Sequence, residues 1–195
     1  MTDRRVEVRR ETAETRVVVE LDLDGEGQAT VRTGVGFYDH LLTALARHGG
    51  LDLVLGCEGD REVDDHHTVE DCALALGEAI DRALGERRGI ARFGSAHAPL
   101  DEALARAVVD LSGRPFAAVD LGLCRERIGD LSAENAGHAI RSLAVGARAT
   151  FHVDVLRGEN DHHRAEAAFK ALALALRQAV AATGSDRVPS TKGVL

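Results

Sequence analysis

The sequence has few cysteines, no long apolar run and no excess of positive charge, and each absence excludes a class of protein. Its three cysteines, Cys57, Cys72 and Cys124, are odd in number and far apart, which argues against a disulfide framework and a cysteine-ligated zinc site. No apolar run reaches the ~18 residues of a membrane span, and the first residues lack the apolar stretch of a secretory signal. We therefore expect a cytoplasmic protein that does not bind membranes.

The charge balance points away from nucleic acids as well. The formal net charge is −8, from 24 basic and 32 acidic side chains, whereas nucleic acids and anionic membranes attract basic surfaces. Hydrophobic residues make up 45% of the 195 residues and charged residues 29%, which is typical of one soluble globular domain or of two small halves that share a core. The anomaly is nine histidines, several of them clustered.

Hydrophobic periodicity predicts strands and helices in an order that occurs twice. In the first half the predicted strands are Arg5–Arg10, Arg16–Leu23, Gln28–Arg32 and Leu51–Leu55, and the predicted helices are Tyr38–His48 and Asp65–Leu84. In the second half the predicted strands are Ala107–Leu111, Pro115–Leu121 and Thr150–Leu156, and the predicted helices are Ser132–Val145 and Asp161–Ala182. Asp39 and Ser132 are the expected N-caps. We expect a connector over residues 86–99 and an aperiodic tail over residues 184–195.

Two sequence motifs repeat in register. The segment 40–46 (HLLTALA) aligns with 138–144 (HAIRSLA) at an offset of 98 residues, and 65–70 (DHHTVE) aligns with 161–166 (DHHRAE) at an offset of 96. Each pair of segments falls on the same predicted element of its half. The sequence therefore predicts an internal duplication, with one half-repeat over residues 1–90 and the other over residues 91–195, together forming one compact domain.

The repeated residues are typical metal ligands. On a helix, His66 or His67 can chelate together with Glu70, but adjacent residues diverge by about 100° around the axis. Two ions that each take one histidine from each His-His pair therefore fit better than one ion that takes both. The eight candidate ligands are His40, His66, His67, Glu70, His138, His162, His163 and Glu166. Four ligands per ion leave positions open for catalysis, and the ligand types favour manganese, iron or zinc without separating the three.

Basic side chains supply candidate anion contacts. Arg92, Arg114, Lys170 and Lys192 stand out in an acidic chain and could hold an anion, although each alone is better explained as a solvated surface charge. We read His97 and His152 as surface residues. From the residues alone, we expect a dimetal enzyme that acts on a small anionic substrate.

Several segments closely resemble the imidazoleglycerol-phosphate dehydratase family of histidine biosynthesis. They are 34–40 (GVGFYDH), 64–71 (DDHHTVED), 99–103 (PLDEA), 110–115 (DLSGRP), 160–166 (NDHHRAE) and 189–195 (PSTKGVL). The resemblance extends from Arg10 to the last residue, with no segment like the phosphatase half of the bifunctional form. It therefore implies the monofunctional enzyme, a hydro-lyase.

The resemblance implies an α/β (α+β) fold made by internal duplication, in which each half packs a four-stranded mixed sheet against two helices, as in ribosomal protein S5 domain 2. It also implies two Mn²⁺ ions per chain. One ion would be held by His40, His67, Glu70 and His162. The other would be held by His66, His138, His163 and Glu166. The expected assembly is a homo-oligomer, an octahedral shell of twenty-four chains with active sites at subunit contacts.

The implied reaction is loss of water from D-erythro-imidazoleglycerol phosphate, giving imidazole acetol phosphate through a substrate imidazolate held by both metals. The expected catalytic residues are Glu14, Asp101, Glu70 and Glu166, of which Glu14 matches the family's acid/base glutamate. The expected substrate-binding residues are Glu14, His40, His48, His66, Glu70, Arg92, Arg114, His162, Glu166, Lys170, Ser190, Thr191 and Lys192. Where the family usually has glutamine this chain has Ala44, so we expect one phosphate contact to be absent.

Two other functions are compatible with clustered histidines. A non-catalytic metal-buffering shell protein would hold many loosely bound ions and would leave Glu14 and the Ser-Thr-Lys tail without a role. A dimetal hydrolase of phosphate esters would usually have more carboxylate ligands, often with one bridging the ions.

Overall fold

Two four-stranded mixed sheets enclose four helices in the computed structural model, which describes residues 4–193 and 195. The strands of the first sheet are β1 (Arg5–Glu11), β2 (Thr15–Asp22), β3 (Ala29–Arg32) and β4 (Asp52–Gly59). Those of the second sheet are β5 (Phe93–Leu100), β6 (Ala103–Asp110), β7 (Phe116–Asp120) and β10 (Thr150–Arg157). The helices are α1 (Gly36–Gly49), α2 (His66–Leu84), α3 (Ala133–Gly146) and α4 (Asp161–Val180), and a short hairpin of β8 (Arg127–Ile128) and β9 (Leu131–Ser132) precedes α3.

The two sheets have the same topology, as the duplication predicts. The strand orders are β1-β2-β4-β3 and β5-β6-β10-β7, and in each sheet the last strand pairs parallel to its neighbour while the other pairs are antiparallel. Buried side chains alternate with outward-facing ones along β2, where Val17, Val19 and Leu21 point to the core. The predicted fold class, with a four-stranded mixed sheet and two helices in each half, is confirmed.

The predicted connector over residues 86–99 is wrong in its second part. Residues from Phe93 onward form the edge strand β5, and β6 begins at Ala103 rather than at Ala107. The inward positions of β5 are small (Gly94, Ala96 and Ala98) because α4 lies directly against this strand. A Cβ at Gly94 would lie 1.9 Å from the carbonyl oxygen of Ala175. Small inward residues give a weak hydrophobic alternation, which is why the periodicity failed here.

Ser132 occupies the N-cap position of α3 as predicted, whereas the N-cap of α1 is Val35 rather than Asp39, and neither predicted side chain makes a capping hydrogen bond. Asp39 lies inside the first turn of α1, where its carboxylate accepts the backbone N–H of Thr33 at 2.8 Å. Ser132 precedes α3, but its hydroxyl donates to Asp65 at 2.6 Å. Both side chains tie neighbouring segments together instead of satisfying the first N–H groups of a helix.

The helices pack as two parallel pairs, α1 with α4 and α2 with α3, so that each pair joins the two halves. The second pair is especially close, because Gly77 of α2 and Gly146 of α3 face the partner backbone: a Cβ on either would lie within 2.6 Å of a backbone atom of the other helix. Parallel packing brings the N-terminal turns of paired helices together, and those turns carry the duplicated histidines. Within the described residues, no helix is long and apolar enough to cross a membrane.

Candidate metal centres and active site

Six of the eight predicted ligands lie in two groups, and each group combines helices from both halves. The first group is His40 of α1 with His162 and Glu166 of α4; the second group is His138 of α3 with His66 and Glu70 of α2. Within each group the ligand atoms lie within 4.8 Å of one another. The histidine and glutamate of α2, like those of α4, are four residues apart and therefore share a helix face.

In the first group, Glu166 is already paired. Its Oε2 lies 2.9 Å from His40 Nε2 and 3.2 Å from His162 Nε2, and its Oε1 lies 2.6 Å from Lys170 Nζ. Burial raises the pKa of Glu166, but the hydrogen bonds from His40 and Lys170 outweigh it and lower the pKa to about 2. Phe37 packs on His162 with ring centroids 4.8 Å apart. The carboxylate is therefore ionised and held in place.

The second group is more open. Glu70 Oε1 lies 3.5 Å from His138 Nε2, and Glu70 Oε2 lies 3.9 Å from His66 Nε2, while the two imidazole rings stack at 4.6 Å. His138 Nε2 is buried and has no hydrogen-bond partner. A buried polar atom left unpaired costs about 1–3 kcal/mol, and a metal ion at this nitrogen would remove that cost. The donor set and this unpaired nitrogen both fit a divalent transition metal.

His67 and His163 belong to neither group among the described residues. Each instead pairs with a carboxylate through Nδ1: His67 with Asp60 Oδ2 at 3.0 Å, and His163 with Glu102 Oε2 at 2.8 Å. These contacts raise the pKa of both imidazoles. Sequence reasoning did not single out the two carboxylates. Glu102 lies in one of the segments that carry the family resemblance, whereas Asp60 has no motif that could have indicated it.

The grouping within one chain pairs the glutamates differently from the ligand sets that the resemblance implies. Glu166 lies with His40 and His162 of its own chain, and Glu70 lies with His66 and His138. The reason is tertiary: α1 packs on α4 rather than on α2, and a histidine therefore meets the glutamate of the other half.

The two candidate acid/base residues lie beside the two histidines outside the groups. The carbonyl of Glu14, in the β1–β2 turn, accepts the backbone N–H of Asp60 at 3.1 Å. The hydrogen bond that His67 donates to the Asp60 carboxylate is the largest cause of the raised pKa of His67, and the nearby charge of Glu14 contributes. Asp101, in the β5–β6 turn, has φ of 47° and places Oδ2 3.9 Å from His163 Nε2.

The candidate phosphate-binding residues fall in two places. His48, at the end of α1, has a pKa lowered by burial and then by the charge of Lys170, which places these two residues beside the first group. Arg92 lies at the other end of α4, where its backbone N–H donates to the Ala179 carbonyl at 2.9 Å. The 13 residues from Glu166 to Ala179 correspond to about 20 Å along the helix.

The tail lies at that far end. Arg92 Nη1 donates to the carbonyl of Pro189 at 2.7 Å, and its guanidinium pairs with Asp110 at 2.7 Å. Leu195 lies against Gly113, beside Arg114. Arg92 and Arg114 are thus close to the tail that carries the remaining three candidates, Ser190, Thr191 and Lys192. One chain does not bring this cluster to its own metal groups.

Comparisons with known proteins identify the family of this chain. The imidazoleglycerol-phosphate dehydratase family profile matches residues 33–176. The chain is 59% identical to the imidazoleglycerol-phosphate dehydratase of Candida glabrata, over 96% of this chain and 98% of the relative. It superimposes on the Staphylococcus aureus enzyme with a TM-score of 0.82 and 34% identity, covering 91% of this chain and 100% of the other. It also superimposes on the Pyrococcus furiosus enzyme, in complex with (S)-C348, with a TM-score of 0.83 and 40% identity, covering 96% and 99%. The chain belongs to the imidazoleglycerol-phosphate dehydratase family, hydro-lyases of histidine biosynthesis.

Proposed function

We propose that each group holds one Mn²⁺ ion, and that neighbouring copies of the chain complete the coordination. Each ion takes one histidine from each His-His pair, since neighbouring helix positions diverge by about 100°. The first group already contains His162, so it needs a histidine from the first pair, and His66 is used in the second group. His67 of a neighbouring copy therefore completes the first group, and His163 of a neighbouring copy completes the second.

A homo-oligomer follows from this arrangement, and we propose the octahedral shell of twenty-four chains. The position of Arg92 and the tail, about 20 Å along α4 from the first group, supports it, because one small substrate can reach both only if they come from different chains. We also propose that the half-repeats 1–90 and 91–195 act as one domain, because each group takes ligands from both halves.

The reaction is the dehydration of imidazoleglycerol phosphate. The substrate loses a proton from C2 and the hydroxyl from C3, although no carbonyl acidifies C2. Divalent metal ions bound to the ring nitrogens would lower the pKa of the ring and make it electron-rich enough to favour departure of the hydroxyl. The proton at C2 is assigned to Glu14, which lies beside His67 and therefore at the shared site. Asp101, beside His163, is a second candidate for proton handling.

The phosphate is held by basic and hydroxyl groups from two chains. His48 and Lys170 lie near the first group of one chain, while Arg92, Arg114 and the tail residues Ser190, Thr191 and Lys192 come from another. Ala44, buried in α1, offers no side-chain contact to the substrate. The cytoplasm is the proposed compartment, supported by three free cysteines, which suit a reducing environment.

The observation that carries this proposal is the pair of metal-ligand groups, each made by both halves and each lacking one histidine. The test is turnover of imidazoleglycerol phosphate by protein stripped with a chelator and reloaded with Mn²⁺. We expect activity that requires the metal, disappears in Glu70→Ala and persists in Glu78→Gln, a control on the same helix whose carboxylate pairs with Arg82. If the protein binds two ions per chain but does not turn over imidazoleglycerol phosphate, the assigned substrate is wrong and the assigned metal sites stand.

A further inference from the structure

We infer that Asp60 and Glu102 are positioning residues that aim Nε2 of His67 and His163 at the metal ions of neighbouring copies. The inference rests on the proposed function, because it needs these two histidines to complete the two groups. Within the described part of the chain, neither carboxylate belongs to either group, so each would act through its histidine.

The two histidines outside the groups differ from those inside. Among the described residues, only His67 and His163 have Nδ1 hydrogen-bonded to a carboxylate. The four histidines within the groups present Nε2 to a glutamate instead. An imidazole whose Nδ1–H donates to a carboxylate keeps the lone pair on Nε2, and the carboxylate makes that nitrogen a better metal ligand. These hydrogen bonds thus favour the tautomer of His67 and His163 that carries the proton on Nδ1 and leaves the lone pair of Nε2 available to a metal ion.

The carboxylates are not copies of one another. Asp60 directly follows β4 of the first sheet, whereas Glu102 lies in the β5–β6 turn of the second half. The duplication makes this turn the counterpart of the β1–β2 turn, which carries Glu14, and not of the end of β4. The two halves thus form the same histidine–carboxylate contact from elements that the duplication does not relate. We infer that both histidines need this contact for the same purpose, which is to orient Nε2.

The surroundings of the two carboxylates also differ. Glu102 Oε1 accepts the backbone N–H groups of Glu159 at 3.1 Å and Asn160 at 2.9 Å, which leaves Oε2 for His163. Asp60 bonds His67 through Oδ2, while its Oδ1 is buried without a partner. Glu102 is therefore fixed in orientation by the loop before α4, whereas no hydrogen bond among the described residues fixes which oxygen of Asp60 faces His67.

This difference gives a discriminating test by amide substitution. In Glu102→Gln the amide oxygen keeps the two backbone bonds, so the NH₂ group faces Nδ1 of His163 and forces the ring proton onto Nε2. In Asp60→Asn the side chain turns its oxygen to Nδ1 and keeps the tautomer. We expect Glu102→Gln to bind Mn²⁺ at one of the two sites about 10- to 100-fold more weakly, and Asp60→Asn to stay within about threefold of the parent.

The measurement is calorimetric titration with Mn²⁺ alone of the whole chain after its metal has been removed with a chelator. Thermal unfolding of the same metal-free protein is measured alongside. Asp154→Asn, on the outer side of β10, is the matched control. Unchanged unfolding with weakened binding in Glu102→Gln and Asp60→Ala supports the inference. Parent-like binding in both, while His67→Ala and His163→Ala bind weakly, overturns this inference and leaves the proposed function intact. Parent-like binding in His67→Ala and His163→Ala overturns both.

Discussion

The first and second groups contain equivalent ligands but differ in what surrounds the carboxylate. Glu166 in the first group is 12% exposed and paired with Lys170, whereas Glu70 in the second group is 39% exposed. The duplication places Leu74 where α4 has Lys170. His138 Nε2 in the second group has no hydrogen-bond partner. The same repeated motif thus forms one group whose carboxylate is balanced by Lys170 and one group in which, among the described residues, His138 Nε2 has no hydrogen-bond partner.

This difference implies that the two proposed metal sites are not equivalent. A cation entering the first group meets a carboxylate whose charge Lys170 already balances, whereas a cation entering the second group meets an unbalanced carboxylate and an unpaired imidazole. We therefore expect the second group to bind Mn²⁺ more tightly than the first. In the proposed function, Lys170 would weaken metal binding at the first group and supply a positive charge for the substrate phosphate.

Removal of either glutamate should have the largest effect. Glu70→Ala and Glu166→Ala each delete the carboxylate of one group, so each variant should lose one ion per chain and about 10³-fold in turnover, because a catalytic metal contributes several kcal/mol. The ion kept by Glu166→Ala, in the second group, should bind more tightly than the ion kept by Glu70→Ala. Mn²⁺ titration followed by EPR measures both, and equal affinities would break the comparison.

The close approach of α2 to α3 should make the second group more sensitive to backbone packing. Gly77→Ala would place Cβ 2.5 Å from the Leu143 carbonyl oxygen, which is a severe clash with backbone. Gly49→Ala would place Cβ 3.2 Å from a side-chain carbon of Leu51, which is a milder contact. We expect Gly77→Ala to destabilise the metal-free chain by about 1–3 kcal/mol in urea unfolding, in spite of alanine's higher helix propensity. Gly49→Ala is the control, and a loss there as large as at Gly77 would contradict the account.

An exchange of the two aligned side chains sharpens the comparison directly. Lys170→Leu removes the cation beside Glu166, and Leu74→Lys introduces one beside Glu70. We expect the first change to strengthen Mn²⁺ binding at the first group by about tenfold, and the second to weaken it at the second group by a similar factor. Lys170→Leu should also raise KM for the substrate. If calorimetry shows no change in Mn²⁺ affinity for either variant, the charge beside the glutamate does not determine how tightly the two groups bind metal.

The smallest expected effect concerns the start of α1, which carries His40. Burial raises the pKa of Asp130, but its hydrogen bonds from the backbone N–H groups of Phe37 and Gly36 lower it below 3.8. A depressed folded-state pKa gives stability that is present above 3.8 and is lost as the pH falls through the folded-state value. Asp130→Asn should therefore cost about 1 kcal/mol at pH 7, and the gap should narrow as the pH falls below 3.8. A gap that persists at low pH in urea unfolding would exclude this origin.

Much of this architecture could be predicted from the sequence, because the repeat is visible as residue identity. The alignment of His40 with His138 and of the two His-His-x-x-Glu segments is enough to predict a duplicated fold. His97 and His152, read as surface residues, are exposed on their strands. The edge strand β5 was missed because its inward residues are small, and small residues carry little of the hydrophobic signal.

The pairing of ligands could not be predicted, because it depends on tertiary packing. Which glutamate joins His40 is decided by the contact of α1 with α4, and no spacing along the chain encodes that contact. The contacts of Asp60 and Glu102 with the histidines are also tertiary, since Glu102 is 61 residues from His163. Residue identity predicts the eight candidate ligands, and packing brings six of them together in two groups.

Subunit mixing tests the central claim most directly, namely that each metal site takes three ligands from one chain and one histidine from another. His40→Ala and His67→Ala should each be inactive alone, but dissociated, mixed and reassembled with Mn²⁺ they should recover about a quarter of parental turnover, because a core from one variant meets His67 from the other. A mixture of His40→Ala with Glu166→Ala should recover none, since both changes damage the same three-ligand core. No recovery in the first mixture, or recovery in the second, would contradict the account.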